Sequence, residues 1–312
     1  MTPENCKISV IIATRNRAEA LEKISLPALA KQTFKDFEVI VWDASENDDS
    51  AEVVKGFPEL NIRYFKAPRV GSCSQRNDAV KVARGEIVYF IDDDSEPSPE
   101  VLEAIYEAMN TGELAGCSPP VFEKDSPKFL GVRGWFLEFL SKIFFMGGWG
   151  GRNRVLKSGR AIWSSADSPG KGQILHGNSM AYRIEVFTDH RFDEELERFG
   201  GWASGDDVMF PFSLLREGFE LSILEKGRVI HHHIRGGRVN DLKAHAMSIF
   251  NYFLIWKKTI YPFDKKSIAA WSLSIIGSFI LGILVLLTRG NAVPLRGFFL
   301  GLKEIFNYLK KT

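Results

Sequence analysis

Residues 86–100 read EIVYFIDDDSEPSPE, and the way this stretch divides sets the fold. Glu86–Ile91 is a short run of β-branched and aromatic residues, the composition of a strand. Asp92, Asp93 and Asp94 end it. Ser98-Pro99-Glu100 then supplies a polar cap with proline in the first helical turn. Val101, Leu102, Ile105 and Met109 follow on one helical face. Three adjacent carboxylates repel one another and cannot all ionise cheaply without a cation. In an extended chain Asp92 and Asp94 share one face and Asp93 points away. Two carboxylates on one face suit a divalent cation that also binds phosphates. The alternative is a solvated acidic turn capping the next helix, with Ser95, Glu96 and Ser98 in support.

Upstream, the same grammar repeats. Lys7–Ala13, Phe37–Trp42 and Ile62–Phe65 read as strands, and Ala18–Gln32, Ser50–Phe57 and Ser72–Ala83 carry helix signals. Strands alternating with helices predict an α/β fold, a mostly parallel sheet flanked by helices. Ligands of such sheets sit beyond the carboxyl ends of the strands, so the residues after each strand are the candidates. Thr14-Arg15-Asn16-Arg17 follows the first strand and offers small and basic groups to a nucleotide. Asp43 ends the second, where a carboxylate either receives hydrogen bonds from a base or ribose or caps a turn. Gly71–Asn77 (GSCSQRN) opens a helix bearing Arg76 and Asn77. A helix N-terminus favours anions, although no GxxxxGK[ST] pattern is present.

Downstream, 119–172 is irregular and glycine-rich. Within it Trp135, Phe136, Phe139, Leu140, Ile143 and Phe144 recur at helical spacing and end at FFMGGWGG, as a core helix or one lying on a membrane. ILHGNSMAYR leads to a carboxylate pair, Asp206-Asp207, at the start of a helix. The later strand RVIHHH would put His231 and His233 on one face and His232 on the other. No cysteine or acidic partner at suitable spacing makes these a zinc site. Ile268–Leu287 runs 20 residues without a charge, a length matching the roughly 30 Å hydrocarbon core. Lys265, Lys266 and Arg289 flank it as interfacial anchors. The tail from Pro294 to Leu309 is amphipathic and basic, fit for a lipid surface. The expected division is 1–118, 119–238 and a C-terminal helical region, 239–312, with a transmembrane helix at 268–287, for which a single span, a re-entrant hairpin and a monotopic helix stay open.

The 312 residues are 45% hydrophobic and 25% charged, an ordinary globular composition. Lys+Arg at 40 against Asp+Glu at 39 leaves a net charge of +1, so no global basic field recruits nucleic acid. Cys6, Cys73 and Cys117 form no CxxC pair and fit a reducing compartment. The polar N-terminus is not expected to be a secretory signal.

Taken together, SVIIATRNR, DFEVIVWDAS, GSCSQRN, EIVYFIDDDSEPSPEVLEAI, LHGNSMAYR, FDEEL and GDDVMFPFSLLREGF resemble family-2 glycosyltransferases of the GT-A fold, across residues 7–235. The resemblance implies a membrane-associated, metal-dependent, inverting enzyme that takes a nucleotide-diphospho-sugar donor. Asp43 would bind the donor's base, with Thr14, Arg15, Asn16 and Arg17 beside the nucleotide. Arg76, Asn77 and Asp93 would lie on the donor side. Asp92 and Asp94 would be the D-x-D pair, with Asp94 the more direct ligand of Mg²⁺ or Mn²⁺ and Asp92 near ribose and metal. Asp206-Asp207 stands where the family usually has Glu-Asp and would supply the base, Asp207 being favoured. His231 would approach the metal. The acceptor would be a glycan or lipid-linked hydroxyl, with the catalytic domain on the cytoplasmic face. Two other activities compete. A nucleotidyltransferase making the activated sugar would need a glycine-rich basic loop that IIATRNRAEA lacks. A non-catalytic membrane scaffold would have no use for intact carboxylates at every motif.

Overall fold

The computed structural model describes residues 6–124, 132–149, 153–163, 169–234 and 240–311. Strands β1 (Ile8–Thr14), β2 (Phe37–Asp43), β3 (Ile62–Lys66) and β4 (Ile87–Ile91) lie within a residue of their expected places. They are parallel, in the order β4-β1-β2-β3, and Thr14 stands opposite Asp43. Both faces of β1, β2 and β4 are covered, which is why these strands are mostly apolar, whereas edge strand β3 is only partly buried and carries Arg63 and Lys66. Val10, Ile12, Val39, Val41 and Tyr89 pack to one side against Leu21, Leu26, Leu102 and Ile105. Ile11, Ile40, Val88 and Phe90 face the other side, toward helices Ser72–Val80, Asp206–Arg216 and Asp241–Ile255.

The helix expected over 18–32 is broken. Short α segments Ala18–Ala20 and Leu26–Ala30 flank a π turn at Leu21–Ser25. Pro27 has no N–H to bond the Lys23 carbonyl, and the wider turn absorbs the defect.

The second half extends the same sheet through β5 (Ser95–Pro97), β6 (Gly116–Ser118), β7 (Val121–Glu123), β8 (Gly148–Trp149), β9 (Arg154–Val155), β10 (Ala161–Trp163), β11 (Gly170–Lys171), β12 (Ser179–Arg183), β13 (Leu221–Ile223) and β14 (Val229–His231) only in part. Antiparallel β12 lies between β4 and β6, and β13 and β11 finish an eight-stranded sheet ordered β11-β13-β6-β12-β4-β1-β2-β3. The remaining strands form two small sheets, β8-β10-β9 and β5-β14-β7. The latter pairs His231 with Ser95, beside the acidic corner.

Helix Val132–Ile143 forms where aromatic spacing places it, and Ile143 at its end is exposed rather than core. Of the following FFMGGWGG run, Gly150 and Gly151 lie outside the described residues. At the C-terminus, helix Ile268–Arg289 is long and apolar enough to cross a membrane, with a mean hydropathy of 2.3. Helix Val293–Leu309 packs along helix Asp241–Ile255.

Candidate active site

The carboxyl ends of β1 and β4 border a cleft of about 450 Å³, closed on the far side by the start of helix Asp206–Arg216. Asp92–Asp94 turns as it leaves β4: the Ser95 N–H donates to the Asp92 carbonyl at 3.1 Å. This turn, rather than strand alternation, sorts the three carboxylates. Asp93 swings toward β1, where Thr14 Oγ1 donates to it at 2.6 Å and Arg17 pairs with it at 2.8 Å. Burial pushes its carboxyl up to about 7 against the pull of Arg17. Asp94 Oδ2 accepts from Arg17 at 2.5 Å and from the Ile234 N–H at 2.9 Å.

Asp92, Asp94 and His231 each bring a donor atom within 4.8 Å of the others. Asp94 Oδ1 and His231 Nε2 are buried, 3.4 Å apart, and neither makes a hydrogen bond. These two ligand atoms, which have only each other, and the Asp92 carboxylate beside them fit a Mg²⁺ or Mn²⁺ ion. Burial alone would raise Asp94, but His231 and Arg17 more than reverse it and hold this carboxyl below its ordinary range. Burial likewise opposes the charged His231 ring, yet Asp94 and Glu123 lift it to about 10.

Glu123, at the end of β7, meets His231 Nδ1 at 2.9 Å and also contacts His233. Occupying Nδ1 fixes the ring so that Nε2 faces the acidic corner, as carboxylates do behind histidine metal ligands. His231 and His233 do lie on one side, with ring centroids 4.0 Å apart. The reason is not the expected one. The strand ends at His231, and His233 returns through a left-handed φ of 53°.

The neighbouring carboxylates Asp206 and Asp207 have different surroundings. Asp206 is buried and paired with Arg76, whose other nitrogen donates to the Gly177 carbonyl at 2.9 Å and lies 3.3 Å from Asp92. Asp207 is half-buried and lines the cleft, and among the described residues no salt bridge pairs it with a cation. Desolvation and then the charge of Asp206 push its carboxyl up to about 8, a value suited to proton transfer near neutral pH.

The donor-side residues divide in the same manner. Thr14, Arg15, Arg17, Arg76, Asp92 and Asp93 line the cleft; Asn16, Asp43 and Asn77 do not. Asn16 ties β1 to the loop after β2, its N–H donating to Ser45 Oγ at 2.7 Å. Asp43 is fully buried and accepts from the Ser45 N–H and hydroxyl and from Tyr64 at 2.9 Å. Fully buried, it makes its expected contact with a donor base only if the residues covering it move aside. Asn77 exchanges two 2.9 Å hydrogen bonds with the Phe192 backbone, away from the cleft. The N-terminus of helix Ser72–Val80 already holds an anion of the protein's own: the Ser74 N–H donates to Glu197 at 2.7 Å. Gly71 permits that approach, since a Cβ there would lie 2.1 Å from Glu197 Oε2.

Sequence reasoning missed Glu123, His176, Trp163, Trp202 and Tyr252, all of which line the cleft. His176 sits inside a run already singled out, LHGNSMAYR, and Trp202 lies three residues before GDDVMFPFSLLREGF, so adjacency was an available signal. Burial holds His176 down at about 4, hence neutral. Glu123 ends a three-residue strand and carries no local mark.

Comparison with known proteins bears on the fold and the family. Residues 9–158 match the family model described as Glycosyl transferase family 2. The chondroitin synthase of Escherichia coli is 26% identical over 292 residues, 83% of this chain and 39% of that protein. The GalNAc(5)-diNAcBac-PP-undecaprenol beta-1,3-glucosyltransferase of Campylobacter jejuni is 36% identical over 110 residues, 34% of this chain and 35% of that protein. The chain thus spans well under half the length of these curated relatives. Among solved structures, a mannosyltransferase from Pyrobaculum calidifontis in complex with GDP-Man and Mn²⁺ superposes with a TM-score of 0.57 at 15% identity, covering 96% of this chain and 88% of that one.

Proposed function

We propose, from the match of residues 9–158 to the glycosyl transferase family 2 model, that the chain moves a sugar from a nucleotide-diphospho-sugar to an acceptor hydroxyl with inversion at the anomeric carbon. The observation that carries this is one cleft bordered by Asp92 and His231 on one side and Asp207 on another. Asp207 takes the proton of the attacking hydroxyl. Arg76 neutralises Asp206 and so leaves the neighbouring carboxylate as the free base. Asp92, Asp94 and His231 would hold Mg²⁺ or Mn²⁺, which when bound neutralises charge developing on the departing diphosphate. Thr14, Arg15 and Arg17 border the nucleotide, and Trp163, Trp202 and Tyr252 offer apolar faces to the sugars.

The acceptor in this proposal is a lipid-linked or cell-surface glycan. The apolar helix Ile268–Arg289 supports it, as do the undecaprenol-linked substrate in one relative's name and the polysaccharide in the other's. Donor supply from the cytosol places the catalytic domain on the cytoplasmic side of the membrane.

A thermal-shift panel of nucleoside diphosphates and their sugars, with and without Mn²⁺, tests the donor half, because a ligand of the folded state raises the melting temperature. Asp94→Ala is expected to abolish the Mn²⁺-dependent part of the shift; an undiminished shift removes Asp94 as a ligand. Asp207→Asn is expected to keep donor binding and stop transfer. Release of a nucleoside diphosphate identifies glycosyl transfer, whereas release of pyrophosphate would point to a nucleotidyltransferase.

A further inference from the structure

Helix Ile268–Arg289 has the length of a bilayer span, yet its midpoint is attached to the catalytic domain. Arg160 donates to Ser278 Oγ at 2.7 Å while its guanidinium lies 4.6 Å from the Tyr252 ring, which borders the cleft. Arg160 is buried, and no carboxylate pairs with it among the described residues. At the adjacent position, Gly277 abuts Phe144 and Met146 so closely that a Cβ would lie 2.5 Å from Phe144 Cβ. The inward stripe, Ala270, Ser274 and Gly277, is small, as close docking demands. A helix spanning the bilayer would have to carry Arg160 and the cleft wall to mid-depth, where a guanidinium and unpaired backbone are costly.

The outward surface is of another kind. Leu273, Ile276 and Leu287 form an exposed apolar stripe on this helix, Ile276 being 49% and Leu287 76% exposed. On the next helix Arg296, Phe299, Lys303, Phe306 and Lys310 are exposed at helical spacing, a stripe of alternating basic and phenyl groups with no acid in it. The acid of that helix, Glu304, faces inward to Arg198 at 3.5 Å. The two surfaces meet where the Phe279 and Phe299 rings lie 6.1 Å apart. Phenyl groups that bury in acyl chain, interleaved with cations that reach headgroups, complement an anionic lipid surface.

We propose that helix Ile268–Arg289 does not cross the membrane but lies in one leaflet, and that it and the Arg296–Lys310 stripe hold the catalytic cleft against anionic phospholipid. This rests on the proposed membrane setting and is independent of the donor chemistry. The test uses the full chain with vesicles of equal parts phosphatidylcholine and phosphatidylglycerol. Flotation is expected with these and not with phosphatidylcholine alone, and Lys303→Glu with Phe306→Asp should abolish it while donor hydrolysis is unchanged. Failure of the parent protein to float overturns the membrane setting itself. Spin labels at Ile276→Cys and Leu287→Cys, in a Cys6→Ser background, then read depth. Similar shallow depths are expected. A deep label at 276 with a shallow one at 287, about 16 Å apart along a helix rising 1.5 Å per residue, would mean a spanning helix and overturn this inference alone. Protection of both labels by self-association, seen as a larger species without vesicles, would assign the surface to a second copy instead.

Discussion

Asp206 and Asp207 share a composition and a helical turn, and among the described residues only Asp206 is in a salt bridge, with Arg76. In the unfolded chain Asp207 titrates near 3.8; in the folded protein its carboxyl is pushed up to about 8. Between those values the unfolded chain has released a proton that the folded one keeps. Its contribution to stability is therefore whole below 3.8 and is lost as pH rises through about 8. Asp207→Asn does not titrate there, so its stability relative to the parent should climb across this window by at least about 1.4 kcal/mol, the equivalent of one pK step. Melting temperatures at a series of pH values check this; a constant difference would mean an unperturbed carboxyl. The rate of transfer should likewise rise with pH toward about 8 as the base deprotonates. Arg76→Met leaves Asp206 buried and uncompensated, a loss of about 3–5 kcal/mol, and the further change Asp206→Leu should restore much of it in denaturant melts. At the metal corner, Glu123→Gln should weaken Mn²⁺ binding by roughly ten- to hundredfold in calorimetry, since the His231 ring loses its orienting carboxylate.

Among the elements, the C-terminal helices show how small residues decide packing. Gly297 and Gly301 face helix Asp241–Ile255, where a Cβ at Gly301 would lie 2.7 Å from Ile249 Cβ and 2.8 Å from the Ala246 carbonyl oxygen. Two backbones come this close only where one side has no side chain. Gly301→Leu should cost about 1–3 kcal/mol through overpacking, read as a lowered melting temperature, and a neutral result would mean that the two helices are not in contact. Helix Ser72–Val80 illustrates the opposite case. Its N-terminus was legible as an anion site, but the anion it holds is Glu197, which no local pattern connects to it.

Across the whole molecule, β12 joins the halves. It pairs with β4 on one side and β6 on the other, so the donor-side strands and the Asp206–Asp207 helix hang on one sheet. Residues 1–118 and 119–238 should therefore melt together. A saturating nucleoside diphosphate with Mn²⁺ should move that single transition upward, by about 2.7 kcal/mol at a hundred times its dissociation constant. Calorimetry with two transitions, only one of them ligand-sensitive, would contradict a shared core.

Local chemistry was enough for much of this protein. Runs rich in apolar residues set β1, β2 and β4, because a strand buried on both faces has little polar register to obscure it; β3, half-exposed at the sheet edge, was marked by its β-branched and aromatic residues alone. Asp92–Asp94 and Asp206-Asp207 stood out as charge that must be explained wherever the chain places it, and the resemblance in their spacing named the chemistry. What the sequence left undecided were partnerships across long separations. Arg76 selects between two adjacent aspartates 130 residues away; Glu123 and His231 are 108 apart; Arg160 and Ser278, 118 apart, turn a helix of membrane length toward the catalytic domain. Hydrophobic periodicity reports which face of an element is buried but not what lies against it, and a buried charge takes its meaning from that neighbour alone.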